Sequence, residues 1–239
     1  MATLAPTVTR HPAASRFHTR IDWLDSWHSF SFGHHYDPGR LGYRNLRVIN
    51  DDRVAPGAGF PTHGHADMEI VTYVLSGGVA HRDSSGGEGV IRPGDAQRMS
   101  AGRGIRHSEY NASATKPTHF LQIWIEPSAR GIAPGYEQKR LPEAALGESR
   151  VDLIASPDGG DGAVQLHADA AIHRVLLAPG GKLSVPFSPR RYGWAQVARG
   201  SVTVLGRELA EGDGLSFDGA DAVDLTSAAG AELLLFDLA

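Results

Sequence analysis

Short apolar or alternating runs recur along this chain, and Gly, Pro, Asn or Asp bound nearly all of them. Among them are YRNLRVIN, MEIVTYVLSG, THFLQIWIEP, HRVLLAPG, GWAQVARGSVTVLG and ELLLFDLA. Side chains alternate across a strand, so each run can bury one face. Many such runs at this spacing define a β-sandwich or barrel. The 29 Gly and 14 Pro suit a turn-rich fold, and a hydrophobic content of 41% argues against disorder. One short helix is expected, around LPEAALGES at 141–149. The aromatic-rich RIDWLDSWHSFSF at 20–32 fits no single period.

The strand rhythm breaks over 127–150, PSARGIAPGYEQKRLPEAALGESR, with a comparable pattern on each side. VLSGGVAHRD and GVIRPGDAQRMSAG precede the break, and QVARGSVTVLGRELAEGDGLSFDGA follows it. In both halves a strand reaches a Gly turn, returns, and meets a Gly-Asp turn before another strand. This weak internal repeat predicts an all-β protein of two similar barrels. The expected division is a first domain over 1–135, a linker over 136–150 and a second domain over 151–239. Placing GAGFPTHGH on PGGKLSVPF sets Val185 and Phe187 where His63 and His65 stand. Any polar site therefore belongs to the first half.

Composition removes several classes of function. The absence of cysteine excludes a disulfide framework, a zinc-thiolate site and a cysteine nucleophile. The net charge of −4, with no basic block, gives nucleic-acid binding no support. No apolar run reaches membrane-spanning length. The first twenty residues lack acids, as a transit peptide does, but hold no apolar stretch for secretion. A cytoplasmic protein is expected. Neither half carries an association motif, so the expected state is a monomer.

The chemistry concentrates in two pairs. His63 and His65, in THGHADMEIV, are two apart and share a strand face, about 7 Å from one another on an ideal strand. Glu69 has the same parity. Further on, AGRGIRHSEYN repeats the device with His107 and Glu109. One His-x-His pair alone reads more readily as two polar residues near a loop. Two pairs supply three imidazole nitrogens and a carboxylate oxygen, a donor set that suits a borderline metal ion. Parity permits either Glu69 or Glu109 as the carboxylate ligand.

HGHADME together with PGD…MSAGRGIRHSEYN resembles the cupin motifs, and more closely those of the pirin family. The likeness runs on through WLDSWHSFSFGHHYDPGRLGYRNLRVINDD, QIWIEP, GIAPGYEQKR and ELLLFDL, and so covers nearly the whole chain. It is closest to the bacterial pirin-like branch described as quercetin 2,3-dioxygenases. The resemblance implies a bicupin of two jelly-roll (double-stranded β-helix) domains, with a metal in the N-terminal barrel and a degenerate C-terminal one. Some spacings depart from the general cupin pattern. Seven residues separate Glu69 from Gly77, Ser100 stands at the usual proline position, and four residues separate Gly102 from His107. These departures resemble pirins, whose carboxylate ligand lies two residues after the third histidine. The implied ligands are His63, His65, His107 and Glu109. Glu69 is then a supporting acceptor that orients a ligand imidazole.

On this resemblance the protein is a metal-dependent dioxygenase with O₂ and a flavonol such as quercetin as substrates. Glu109 would take the 3-hydroxyl proton, oxygen would add across C2 and C4, and CO would leave a depside. Fe(II) is the first choice of metal, while Cu, Ni, Co, Mn or Zn could occupy the same donors. Two alternatives stand beside it. One is a metal-bearing regulatory or redox-sensing protein that acts through a protein partner. The other is a different cupin enzyme on a small polar acid, whose pocket should be rich in Arg and Lys. His34 and His35 read as surface or packing residues, and His167 and His173 as structural. His81 and His119 lie on strands, and Phe60, Met68, Met99, Tyr110 and Trp124 are expected in the barrel core.

Overall fold

The computed structural model describes residues 5–143, 145 and 147–239. Strands dominate, and the described helical residues form two three-residue 3-10 turns, Ala13–Ser15 and Gly160–Gly162. Of the helix expected at 141–149, Ala144 and Leu146 lie outside the described residues, and none of the others is helical. Among the described residues no helix is long and apolar enough to cross a membrane.

The chain forms two compact units. One takes Arg16–Leu141 with Ala155–Asp169; the other takes the chain up to Ser15, Pro142–Ile154 and Ala170–Ala239. The strand β1 (Thr7–His11) belongs to the second unit. In the first unit follow β2 (Phe17–Ile21), β3 (Leu24–His28), β4 (Leu46–Val54), β5 (Gly59–His65), β6 (Glu69–Ser76) and β7 (Val79–Asp83). Then come β8 (Glu88–Ile91), β9 (Asp95–Ser100), β10 (Ile105–Asn111), β11 (Thr118–Ile125) and β12 (Gly135–Arg140). Two sheets result. A seven-stranded sheet has the order β12-β9-β6-β11-β4-β3-β2, and a four-stranded one has the order β5-β10-β7-β8. Residues 135–140, which overlap the stretch read as a linker, pair with β9 instead. The aromatic-rich segment near the start becomes β3, whose Leu24, Ser26 and His28 are buried on alternate positions.

The first unit's core includes a cluster of Leu24, Val54, Val74, Val79, Ile91 and Phe120. A second cluster of Ile70, Met99, Ala101 and Ile105 packs against Met68 and Trp124. Tyr110, expected in the core, is 41% exposed because it faces outward between Glu109 and Asn111.

Strand β13 (Arg150–Ser156) spans the boundary at Ile154, and β14 (Val164–Gln165) lies in the first unit; the second unit continues with β15 (Ala170–Leu177), β16 (Lys182–Pro186) and β17 (Tyr192–Val204). It ends with β18 (Arg207–Ala210), β19 (Gly214–Asp218), β20 (Ala222–Thr226) and β21 (Ala231–Leu238). Its main sheet runs β1-β19-β17-β21-β15, and β16 pairs with β20. Its interior is a continuous apolar cluster that includes Val185, Val197, Leu215, Phe217, Val223 and Leu235, with Phe187 packed against it.

Candidate metal centre

Strand β10 lies between β5 and β7, and its register sets the site. His107 stands opposite His63 on one side and Asp83 on the other. Glu109 stands opposite Phe60 and His81. These residues alternate with exposed Arg106 and Tyr110, so they share the inward face. Between the two rows the β5–β10 register slips, at Pro61 and Thr62. Pro61 has no N–H to give to a ladder, and such a bulge re-aims the side chains beside it. The backbones also approach closely at Gly59, where a Cβ would come within 2.3 Å of the Glu109 carbonyl oxygen.

Three imidazoles converge as a result. Ring centroids are 4.8 Å apart for His63 and His65, 4.4 Å for His63 and His107, and 4.9 Å for His65 and His107. The His63–His65 separation is well under the ideal strand spacing. His63 Nδ1 lies 2.8 Å from the Pro61 carbonyl oxygen, which can only accept, so Nδ1 carries the proton and Nε2 the lone pair. That Nε2 is 3.0 Å from His107 Nε2. Two nitrogens at about 2.1 Å from one ion, at a right angle, would be about 3 Å apart, so this donor set fits a metal ion. Burial, then the neighbouring His63, holds His65 at a pKa of about 4. Burial and the surrounding imidazoles hold His107 at about 2. Both rings are neutral at neutral pH, the form that ligates a metal.

Glu109 is 4% exposed. Burial pushes its carboxyl pKa up, against the hydrogen bonds that hold it. Gln122 Nε2 donates to Oε2 at 2.7 Å, and Thr72 Oγ1 to Oε1 at 3.3 Å. The ligand atoms form two overlapping groups, each within 4.8 Å: His63, His65 and His107, and His81, His107 and Glu109. Glu109 is thus grouped with His107 and His81. His81 is fully buried, with Nε2 2.9 Å from Asp83 Oδ2.

Glu69 goes elsewhere. The chain passes from one sheet to the other between β5 and β6, through Asp67 at φ 48°, so strand parity is not carried from His65 to Glu69. Glu69 Oε2 accepts from Ser100 Oγ and from the His167 backbone N–H, both at 3.0 Å. It fastens the 155–169 segment to β6 and makes no hydrogen bond to a candidate ligand imidazole. Its expected role as a supporting acceptor for a ligand imidazole has no hydrogen bond behind it among the described residues. His119 pairs with Asp51 at 2.7 Å, away from the centre.

Beside the imidazoles lies a cavity of about 180 Å³. Phe32, Phe60 and Trp124 give it aromatic surface, and Asp52, Glu109 and Gln122 give it polar atoms. Among the described residues no Lys or Arg lines it. His34, read as a surface residue, is exposed and stands on the lining. Asp52, Gln122, His28 and Asn50 escaped sequence reading because they come from β3, β4 and β11. The one available signal was the polar run INDD in the middle of an apolar strand.

The fold defines a bicupin, with a candidate metal centre in its first barrel. Residues 10–125 match the pirin family model, and residues 153–238 match the quercetinase C-terminal cupin domain. The chain belongs to the pirin family. A protein of Escherichia coli strain K12 named quercetin 2,3-dioxygenase is 45% identical, covering 95% of this chain and 96% of that protein. The crystal structure of YhhW from E. coli aligns with a TM-score of 0.91 at 44% identity over 98% of both chains. That of bacterial pirin YhhW in complex with nickel(II) aligns at 0.90 and 43% identity, over 97% of this chain and 99% of the other. A quercetin 2,3-dioxygenase from Acinetobacter baumannii, 22% identical with a TM-score of 0.76, shares the fold.

Proposed function

We propose that this protein is a metal-dependent dioxygenase that opens the heterocyclic ring of flavonols such as quercetin with O₂ and releases CO. The observation that carries the reading is the convergence of three imidazoles, with a buried glutamate beside His107, on an aromatic cavity that no described Lys or Arg lines. A cavity without cationic side chains disfavours a cupin enzyme acting on a small polar acid. The relatives named above support the substrate class.

His63, His65, His107 and Glu109 would hold the ion, with Fe(II) the preferred one. When bound, such an ion supplies Lewis acidity and open positions for substrate and O₂. Glu109 acts as the general base. Burial raises its proton affinity toward the working range, and it takes the proton from the 3-hydroxyl. Gln122 and Thr72 hold the carboxylate in place while it does so. Phe32, Phe60 and Trp124 lie against the flavonol rings and keep water from them. At about 180 Å³ the cavity takes the reacting part of a flavonol, and the remainder extends to the mouth beside exposed Gly33 and His34. Overall, flavonol and O₂ give depside and CO, with atoms balanced.

The test is anaerobic loading with Fe(II), followed by quercetin turnover with CO detection. Turnover should appear with the metal and vanish in His63→Ala. Equal inactivity of the metallated wild type and the variant would refute the reading.

A further inference from the structure

The cavity has a second polar wall, built from the seven-stranded sheet, that the reaction above does not use. On it His28 is held at both nitrogens, Nδ1 by Asn50 Oδ1 at 2.8 Å and Nε2 by the Thr19 hydroxyl at 2.9 Å. Ser26 gives its hydroxyl to Asp52 Oδ1. Asp52 ends this chain of contacts. It is 3% exposed and lines the cavity, as Glu109 does. Among the described residues its side chain makes no hydrogen bond besides that from Ser26, so Oδ2 is left without a protein partner. Among the described residues no Lys or Arg lines the cavity to pair with that oxygen. A carboxyl oxygen accepts from a hydroxyl, and in its protonated form it also donates to a keto oxygen. Burial, then the charges of Asp51 and Glu109, pushes the Asp52 pKa up to about 7 against the Ser26 hydrogen bond, which brings both forms within reach at neutral pH.

We propose that Asp52 contacts the substrate, its free carboxyl oxygen recognising a neutral hydroxyl or keto oxygen of a hydroxylated aromatic molecule. The other polar groups of this wall would keep the carboxyl aimed into the cavity. Asp52 then fixes how the substrate lies relative to Glu109 and is a determinant of specificity. This inference rests on the flavonol reading and adds a second recognition point to it.

The experiment uses the full chain loaded with Ni(II), under nitrogen, with quercetin as the probe and quenching of tryptophan fluorescence as the binding signal. Asp52→Ala should stay folded and keep its nickel content, while Kd for quercetin rises about 5- to 13-fold, the equivalent of one neutral hydrogen bond. Asp52→Asn, which keeps a donor and an acceptor, should stay within about 3-fold of wild type. In turnover with the Fe(II) protein, KM should rise in Asp52→Ala more than kcat falls.

A folded, nickel-loaded Asp52→Ala with unchanged Kd overturns the proposal. So does Asp52→Asn as impaired as Asp52→Ala, since a neutral isostere should serve. Should Asp52→Ala not fold, a quercetin complex of the wild type decides. A flavonol oxygen within hydrogen-bonding distance of Asp52 supports the assignment, and its absence overturns it. Wild type that binds quercetin but never cleaves it breaks only the reaction reading, whereas wild type that binds no flavonol breaks both.

Discussion

The two barrels occupy equivalent inward positions with opposite chemistry. In the first, β5 presents His63 and His65, β10 adds His107 and Glu109, and β4 and β11 add Asp52 and Gln122. In the second, Val185 faces Val223 across the β16–β20 pair, and Phe187 lies against Phe217 with ring centroids 5.2 Å apart. The apolar filling needs only shape and removes area from water. The polar filling needs a partner for every buried group. Asp83 holds His81, Gln122 and Thr72 hold Glu109, and the Pro61 carbonyl holds His63. One barrel supplies stability at little chemical cost, and the other spends its interior on a site that it must scaffold residue by residue.

The largest effect expected is on catalysis. Glu109→Gln should lower quercetin turnover by about 10²- to 10⁴-fold, the range of a lost general base. Glu69→Gln should leave nickel binding intact. Its defect is in stability, about 1–3 kcal/mol from loosening Ser100 and the His167 backbone, read by urea denaturation. If Glu69→Gln lost more metal than Glu109→Gln, the division between ligand and fastener would be reversed.

Next is the metal itself. His63→Ala should weaken Ni(II) binding by more than the roughly 10- to 100-fold typical of groups one step outside a ligand set, measured by chelator competition. The reciprocal change tests the comparison directly. Val185→His places an imidazole at the matching position of the apolar barrel. No donors or partners await it there, so it should bind no nickel and cost about 1–3 kcal/mol. Nickel uptake by Val185→His would mean that the second barrel still holds a metal cradle.

These positions also show what was legible beforehand. The strand rhythm, the internal repeat and the loss of histidines at Val185 and Phe187 are local patterns, and they carried the fold and the choice of barrel. His63, His65 and His107 were legible because each His sits in a spaced pair. Glu69 stayed ambiguous because parity holds only within one strand, and the chain changes sheets at Asp67. Asp52, His28 and Gln122 were not legible at all. Their approach to the centre depends on which strands become neighbours, and no spacing within one segment encodes that.

The smallest effect concerns acid, and it probes how the first barrel keeps a carboxylate beside its polar wall. Burial alone pushes the Asp51 carboxyl up, but the His119 hydrogen bond and the charges of His119, Arg16 and Arg53 outweigh it and hold the pKa at about 2, from 3.8. A carboxyl with a lower pKa folded than unfolded contributes its full stabilisation above the unfolded value and loses it as pH falls through the folded one. The wild type should therefore lose about 1 kcal/mol through Asp51 between about pH 5 and about pH 3. Asp51→Asn should be less stable at pH 5 and decline less steeply toward pH 3, as read from urea midpoints. Parallel decline of the two proteins would mean that Asp51 is not held by these cations, and that acid reaches the first barrel through a different group.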